Sequence, residues 1–433
     1  MTDSGMRKKL LTALLLVGAG FWLPATCMGQ VSCVARFIME KDHYVAGEPV
    51  FCDFLLQNAS SKTIQFSYRF PSRVSPRDLE QEPRFLITDE AGHAVADPAP
   101  RPCGGAKGSV LYGWATLPPG ETHTERWLLN EWGRFMLPGR YQVRAERRLP
   151  VMVLDAATNK PSASPAAYPL ALNELSFTIQ SATEEQLRSA YRPYLEALDR
   201  KDAASLPEAV LVVTTLPQPF LLARLQMMAT APAREASWDR RQVLEGLARL
   251  GTPPAWDTIL KIAQGIREGE TRGPVPTGPE DLALRSYAVT LLGEKRDKAV
   301  LPALLGMVES VPPELSGDVL QTLGLFDDPR ASQVLFRKLH APKTLDRVNA
   351  ILGLRNRGSK DVVPALIAML NDPATQVRQV AHFALQGLTG RRFALSGRAS
   401  RAESARVAAR WRAWWHAHGA SFVPVRESPC RDW

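Results

Sequence analysis

Two stretches of the sequence decide the fold: AVLPALL at residues 299–305 and its near copy DVVPALI at residues 361–367. They lie two units of 31 residues apart, and apolar positions between them keep the same step. One helical face recurs through Leu304, Leu335 and Leu366, through Leu305, Phe336 and Ile367, and through Val308, Leu339 and Leu370. A second face recurs through Val289, Leu320 and Ile351, and through Leu292, Leu323, Leu354 and Leu385. A fixed period with two helical faces per unit predicts an α-solenoid of stacked helix pairs.

Signals at the helix ends agree with this repeat. Asp328-Pro329 and Asp372-Pro373 each place a capping residue before a first-turn proline, and Gly324 and Gly390 suit helix ends. Leu-Gly followed by Asp-x-x-x-x-Pro-x-Leu resembles the short HEAT-like repeats of bacterial proteins. The resemblance implies a HEAT-like or armadillo-like solenoid.

The helical part divides further along the chain. The resemblance covers residues 280–390, whereas residues 184–268 are predicted to hold degenerate helical repeats, and residues 269–279 a loop insertion rich in Gly and Pro. Residues 391–419 are predicted to form a basic loop and a tryptophan-rich capping helix, and residues 420–433 a tail.

Before the solenoid, the apolar period is two. Alternating runs separated by Gly- and Pro-containing turns are typical of short strands, so residues 30–181 predict an antiparallel β-sandwich. The runs are Val31 to Met39, Val50 to Leu56, Ile64 to Phe70, Tyr141 to Ala145 and Leu175 to Ile179. Ser181 and Glu184 match a capping box, which predicts that the first helix begins there.

Two sequence features give the sandwich a more specific form. They are the segment Gly47-Glu48-Pro49-Val50, and Leu117-Pro118-Pro119-Gly120-Glu121 followed by Leu137-Pro138-Gly139-Arg140-Tyr141. They resemble bacterial immunoglobulin-like modules, with Tyr141 expected to pack at a corner of the sandwich. The fold class predicted for the whole chain is therefore an immunoglobulin-like β-sandwich followed by an α-solenoid of HEAT-like helix pairs.

Residues 1–29 resemble a signal peptide. Arg7, Lys8 and Lys9 precede an apolar run from Leu10 to Leu23, and cleavage is expected after Gly29. Lipidation at Cys27 and an uncleaved anchor are the alternatives. We therefore expect export to the periplasm or the medium, with no transmembrane segment in the mature chain.

Four cysteines remain after such a cleavage, and in an exported protein they are candidate disulfide partners: Cys33, Cys52, Cys103 and Cys430. A hairpin near Ala46-Gly47 would place Cys33 opposite about residue 59 and Cys52 opposite about residue 40. This register argues against a Cys33–Cys52 bond and favours Cys103 as the partner of one of them, with Cys430 free or bridging back.

The last helix is predicted to open with Ser400 and Glu403 and to end near Gly419. Val407, Trp411, Trp414 and Trp415 share one face at helical spacing. This face is either an aromatic binding surface or a cap over the open end of the solenoid core, and we favour the cap.

No nucleotide-binding, hydrolase or metalloprotease motif occurs in the sequence. The seven histidines are scattered, and His382 falls within a repeat helix, where packing is its expected role. We therefore predict no catalytic residue, no cofactor and no metal site.

Arginines cluster at the end of the solenoid. Seven of them fall between Arg391 and Arg412, against the single carboxylate of Glu403. The cluster is either a solvated helix face or an anion site, with Arg391, Arg392 and Arg398 as candidates. The export signal, and the lack of matching basic residues in other repeats, argue against nucleic acid.

The leading hypothesis is an exported, non-catalytic interaction or scaffold protein that binds a protein partner through its helical repeats. The candidate contacts are taken to be exposed: Arg347, Arg355, Arg378 and Gln379. The sequence leaves open which helix set is concave. The alternatives are a binder of an anionic polymer or of membrane headgroups through the arginine cluster, and an unrecognised envelope hydrolase with a groove between the domains.

Overall fold

The computed structural model describes residues 31–69, 83–96, 98, 112–155, 157–158, 160–162, 164–232, 235–266 and 278–425. Its N-terminal part is built of strands, as the two-residue period predicts. They are β1 (Cys33–Met39), β2 (His43–Val45), β3 (Phe51–Asn58), β4 (Ile64–Arg69), β5 (Arg84–Thr88), β6 (Tyr112–Leu117), β7 (Thr122–Leu128), β8 (Gly139–Arg148), β9 (Val151–Val153) and β10 (Leu170–Gln180).

These strands form three sheets, with the orders β1-β3-β7, β2-β10-β8-β5 and β6-β4-β9. The pairs are antiparallel except β2 with β10, which is parallel. Inward side chains of the sheets share one core that includes Phe37, Phe54, Phe66 and Phe177. The structure thus confirms a β-rich N-terminal domain, while the immunoglobulin-like form stays a prediction.

Tyr141 explains the Leu-Pro-Gly-Arg-Tyr segment. Its hydroxyl donates a hydrogen bond to the Leu137 carbonyl oxygen at 2.9 Å, and its ring stacks on Phe177 with 5.5 Å between the centroids. The Tyr141 side chain is buried, so it anchors the turn between Leu137 and Tyr141 to the core of the sheets.

The strand register keeps Cys33 and Cys52 apart. Cys33 pairs with Asn58 and Cys52 with Met39, one residue from the expected positions. Cys52 is fully buried and its thiol is free, so the disulfide prediction is wrong at this position, and burial raises the pKa of the thiol. Cys103 and Cys430 lie outside the described residues.

The rest of the described chain is helical, which confirms a C-terminal solenoid of helical repeats. The helices are α1 (Glu184–Arg200), α2 (Leu206–Thr215), α3 (Leu222–Thr230), α4 (Arg240–Leu250), α5 (Pro253–Gln264), α6 (Pro279–Lys295), α7 (Leu301–Met307), α8 (Pro313–Leu323), α9 (Pro329–Lys338), α10 (Thr344–Arg357), α11 (Val363–Met369), α12 (Thr375–Thr389) and α13 (Arg401–His418).

The start of α1 corrects the predicted cap. Thr183, not Ser181, is the N-cap residue: its hydroxyl accepts from the Gln186 N–H at 3.2 Å, and the Gln186 side chain accepts from the Thr183 N–H at 2.9 Å. The capping box is therefore displaced by two residues, because β10 continues to Gln180 and leaves Ser181 too close to the strand.

The two Asp-Pro steps behave differently. Asp328 is the N-cap of α9, as predicted, and accepts from the Arg330 N–H at 2.9 Å. Asp372 is not the N-cap of α12: that position belongs to Ala374, whose N–H donates to the Asp372 carboxylate at 2.8 Å. The Asp372 carboxylate instead forms an ion pair with the buried Arg347.

The helices form two layers that run along the solenoid. We call α2, α4, α6, α8, α10 and α12 the inner layer, because these helices contact one another more extensively than the odd-numbered helices do. A Cβ atom on Gly324 would collide with the backbone of Gly353, so α8 and α10 meet backbone to backbone. In a curved solenoid the more closely packed helices are expected on the concave side, so we assign this layer to that side.

The junction between the two domains is packed. Phe51 and Leu128 of the sheets belong to the core of the helices. The Tyr191 hydroxyl on α1 lies 3.1 Å from the Gly47 carbonyl oxygen, and Arg126 lies 3.0 Å from Glu40 and 3.2 Å from Glu208. The sheets and the helices therefore share a packed interface at this junction.

Candidate binding surfaces of the helical repeats

Arg347 is a structural residue. Its guanidinium makes a bidentate contact with the Asp372 carboxylate, at 2.8 and 2.9 Å. It also donates to the carbonyl oxygens of Ala341 and Pro342, at 2.9 and 3.0 Å. The side chain is buried, so the prediction of an exposed partner contact is wrong. Arg347 ties the turn between α9 and α10 to the start of the next repeat.

Arg378 is buried in the same way. It donates to the carbonyl oxygens of Asp372, Pro373 and Ala399, each at 3.0 Å, and to the Ser404 hydroxyl at 3.1 Å. The prediction of exposure is wrong here too. Carbonyl groups after a helix end lack partners within the helix, and the guanidinium satisfies them.

These two arginines belong to a series that the sequence analysis missed. Arg285, Arg347 and Arg378 occupy one position of the 31-residue register, with Ser316 at the same position in α8. Arg285 is also buried and donates to the Ala263 carbonyl oxygen at 3.2 Å, and burial lowers the pKa of its guanidinium. An arginine that recurs in phase with the apolar series is the signal that would have revealed this role.

The other two predicted contacts lie nearer the surface. The Arg355 guanidinium sits over the ring of Phe383, 4.7 Å from its centroid, and Phe383 is 55% exposed. Gln379 is half-buried, and its side-chain amide donates to the Gly397 carbonyl oxygen. Phe383 was not singled out from the sequence, although a phenylalanine in a repeat helix out of phase with the apolar series marks an exposed position.

Four series in the same register line the exposed side of the inner layer from α6 to α12. Each helix contributes positions spaced by four, three and four residues, which share one helical face. We call these positions the inner surface. They are Ala283, Glu314, Leu345 and Gln376; Tyr287, Asp318, Asn349 and Val380; Thr290, Gln321, Leu352 and Phe383; and Glu294, Leu325, Asn356 and Gly387. All are exposed or half-exposed except Asn349.

Acidic side chains are confined to one half of the inner surface. Glu294 on α6 and Glu314 and Asp318 on α8 make no ion pair with the residues that the structure describes. Burial, with Glu245 nearby, raises the pKa of Glu294. A groove of about 210 Å³ runs between α6 and α8 and is lined by Leu282, Ala283, Ser286, Glu314, Leu315 and Asp318.

The basic segment forms the end of the solenoid. All seven of its arginines are exposed, and two cover aromatic rings: Arg391 lies 5.6 Å from the Trp414 ring and Arg410 4.7 Å from the Phe393 ring. Trp411 is fully buried and meets Phe393 edge to face at 4.6 Å. The capping role of this helix stays a prediction, and the burial of Trp411 supports it.

His382 packs under this cap. The Trp411 indole N–H donates to His382 Nδ1 at 3.4 Å, and the histidine also bonds to the Phe393 backbone. Burial lowers the pKa of His382, and the Phe393 contact only partly opposes this effect. The neutral imidazole therefore serves as an acceptor within the core.

In the ranges that the structure describes, no cluster of His, Cys, Asp and Glu side chains has an arrangement suited to a metal ion. None of the helices in those ranges has the length and apolar character needed to cross a membrane.

Residues 346–372 match the model of the PBS lyase HEAT-like repeat, which confirms the HEAT-like prediction for the repeat around α10 and α11. No curated protein matches the chain significantly in sequence.

Two solved structures are similar over 48% of the chain. One is a designed armadillo repeat protein in complex with a (KR)4 peptide, at 14% identity, 95% coverage of that protein and a TM-score of 0.30. The other is an engineered protein, at 16% identity, 92% coverage of that protein and a TM-score of 0.26.

Proposed function

We propose that this chain is an exported, non-catalytic interaction protein whose inner surface binds a segment of a protein partner. The observation that carries the proposal is Phe383, an aromatic side chain that is more than half exposed on α12, the last helix of the inner layer. Exposed apolar groups rimmed by polar ones are typical of interaction sites. Here the polar neighbours are Arg355, whose guanidinium lies over the ring, and Gln379, which lies one helical turn before Phe383 on α12.

The β-rich N-terminal domain is a second module beside the proposed binding surface. The signal-like residues 1–29 support export to the periplasm or the medium. The β-rich domain is proposed to be immunoglobulin-like, supported by the Tyr141–Leu137 hydrogen bond at the end of a late strand. Because the junction is packed, this domain would present its own surface at a constant angle to the repeats.

Site-specific photo-crosslinking tests the proposal. A benzoylphenylalanine replaces Phe383 in the full chain, which is expressed in its own cell and irradiated. Met227 on α3 is the matched control, since it is 52% exposed but lies on the outer layer. A discrete crosslinked protein is expected at position 383 and not at 227.

Competition sharpens the same experiment. Phe383→Ser should abolish capture of the crosslinked partner by the purified chain, whereas Met227→Ser should leave capture intact. Equal crosslinking at the two positions, or capture that survives Phe383→Ser, would contradict binding at the inner surface.

A second candidate function is binding of an anionic polymer or membrane headgroups. It rests on the seven exposed arginines, of which five do not cover an aromatic ring. Replacing Arg391, Arg392 and Arg398 with alanine should then remove binding to vesicles of anionic lipid or to heparin, and wild-type binding should fall steeply with salt. The remaining alternative, a hydrolase with a groove between the domains, has less support, since Phe51, Leu128 and Tyr191 pack in the described junction.

A further inference from the structure

The inner surface changes in chemistry along its length. On α6 and α8 it carries the carboxylates Glu294, Glu314 and Asp318, and no lysine or arginine occupies the register positions there. Each of these carboxylates lacks an ion pair among the described residues. A partly buried surface that carries charges of one sign favours ligands of the opposite charge.

On α10 and α12 the same positions carry no carboxylate. Leu345 is 54% exposed and Phe383 is 55% exposed, with Leu352 and Val380 half-exposed beside them. Gln376 supplies an amide in the first turn of α12, and Asn356 supplies one in the last turn of α10, where it also donates to the Gln321 carbonyl oxygen at 3.1 Å. Amide groups both donate and accept, so they can pair with the backbone of an extended chain without selecting its sequence.

The two halves lie close enough for one peptide to touch both. Neighbouring helices pack at about 8–10 Å between axes, so α6 and α12 are roughly 25–30 Å apart. An extended chain advances about 3.3 Å per residue, so about eight or nine residues cover this distance.

From this arrangement we infer that the inner surface selects an extended protein segment with Lys or Arg residues at one end and an apolar or aromatic residue at the other. The basic end lies in the groove between α6 and α8, against Glu314 and Asp318. The apolar end packs on Phe383 and Leu345. The inference rests on the proposed function and names the chemistry of its partner.

Three fluorescent peptides of about twelve residues test it by fluorescence anisotropy. They share one Phe- and Leu-containing end and differ at the other, which carries lysines, serines or glutamates. The full chain should bind the lysine peptide most tightly and the glutamate peptide least, and the difference should shrink at high salt. Glu314→Gln with Asp318→Asn should weaken the lysine peptide about fivefold to tenfold and leave the serine peptide unchanged.

The matched control is Asp199→Asn with Asp257→Asn, which removes the same charge from outer-layer helices α1 and α5. It should not alter the binding of any peptide, and melting temperatures of both double variants should confirm folding. Equal binding of the lysine and serine peptides, or an unchanged dissociation constant in the Glu314/Asp318 variant, overturns the inference.

The outcomes also separate this inference from the proposed function. If all three peptides bind alike and Phe383→Ser removes them all, the inner surface is a binding site without charge selection. If none of the peptides binds, the basic-apolar segment is wrong as a ligand, and crosslinking at position 383 decides the proposed function by itself.

Discussion

Arginines play opposite parts in two neighbouring regions of this molecule. In the repeat body, from α10 to α12, Arg347 and Arg378 are buried and hold one repeat to the next. In the terminal segment, residues 391–418, all seven arginines are exposed and two of them lie over aromatic rings. The difference teaches that position in the repeat register, rather than residue type or local charge density, decides whether an arginine supports the fold or faces a partner.

The physical reason lies in what surrounds each side chain. Burial of a guanidinium is costly unless its donors find acceptors. The turns between paired helices provide such acceptors, as the carbonyl oxygens of Ala341 and Pro342 show for Arg347. Beyond Gly390 no further repeat follows within the described chain, so the arginines there remain in solvent.

The largest expected effect concerns an apolar residue of the terminal segment. Trp411→Ala should cost about 3–5 kcal/mol in the free energy of unfolding, because it empties a fully buried site over the last repeat. Chemical denaturation followed by circular dichroism measures this loss. A cost near that of a surface substitution would show that the terminal segment does not cap the core.

The second prediction separates the two kinds of arginine. Arg347→Ala should destabilise the chain by about 3 kcal/mol, because it leaves the Asp372 carboxylate buried without its partner. Arg392→Ala, in the terminal segment, should change stability by no more than about 0.5 kcal/mol.

A paired replacement sharpens this contrast. Arg347→Met combined with Asp372→Leu removes both charges together and should cost less than Arg347→Ala alone. If the double variant is the less stable of the two, the carbonyl contacts of Arg347 matter more than its ion pair.

The third prediction concerns acid. Because the pKa of His382 is lowered in the folded state, its contribution to stability is present above the unfolded value of 6.5 and is lost as the pH falls below it. Protonation would also turn Nδ1 from an acceptor into a donor facing the Trp411 N–H.

Thermal melting at about one pH unit above and about one pH unit below the unfolded pKa of His382 measures the effect. The wild type should lose more stability on acidification than His382→Gln does, and the difference should be smaller than the cost of Arg347→Ala. Equal losses in the two proteins would show that His382 does not cause the loss of stability in acid.

The smallest effect belongs to an exposed arginine on α9, the helix before the repeat body. Arg330 pairs with Asp328 at the start of α9, and the hydrogen bonds from Arg330 lower the pKa of Asp328 to about 2. A lowered carboxyl pKa stabilises the fold above the unfolded value of 3.8, and this contribution is lost as the pH falls towards 2.

Asp328→Asn keeps a good N-cap residue, so its melting temperature at neutral pH should nearly equal that of the wild type. The variant should lose less stability than the wild type as the pH falls through this acid range. A large loss at neutral pH would mean that the Asp328–Arg330 pair acts like the buried pairs.

The apolar framework was predictable from the sequence, and its polar members were not. Leu304, Leu335 and Leu366 recur with the helical period and are fully buried, since apolar periodicity reports burial directly. Arg347 and Arg378 recur with the same spacing, but a charged residue is ordinarily expected in solvent. Their burial is explained only by the backbone carbonyl oxygens around them, which accept hydrogen bonds from the guanidinium groups.

The candidate surface was predictable in part for the same reason. The helix set that contains Leu320 and Ile351 was recognised, but not that it forms the inner layer, which depends on the contact between Gly324 and Gly353. Phe383 and the acidic half of α6 and α8 follow from the register once that layer is known. The start of α1 was misplaced because Ser181 and Thr183 both offer a capping hydroxyl, and only the end of β10 selects between them.

The contact between Gly324 and Gly353 has a mechanical consequence. No side chain separates the two backbones at this crossing, so the inner layer resists compression there. Under load the solenoid should therefore pivot about the glycine contact, with the outer helices α7, α9 and α11 spreading or closing over their interleaved leucines. The inner layer, which is proposed to hold the partner, should then deform less than the outer helices do.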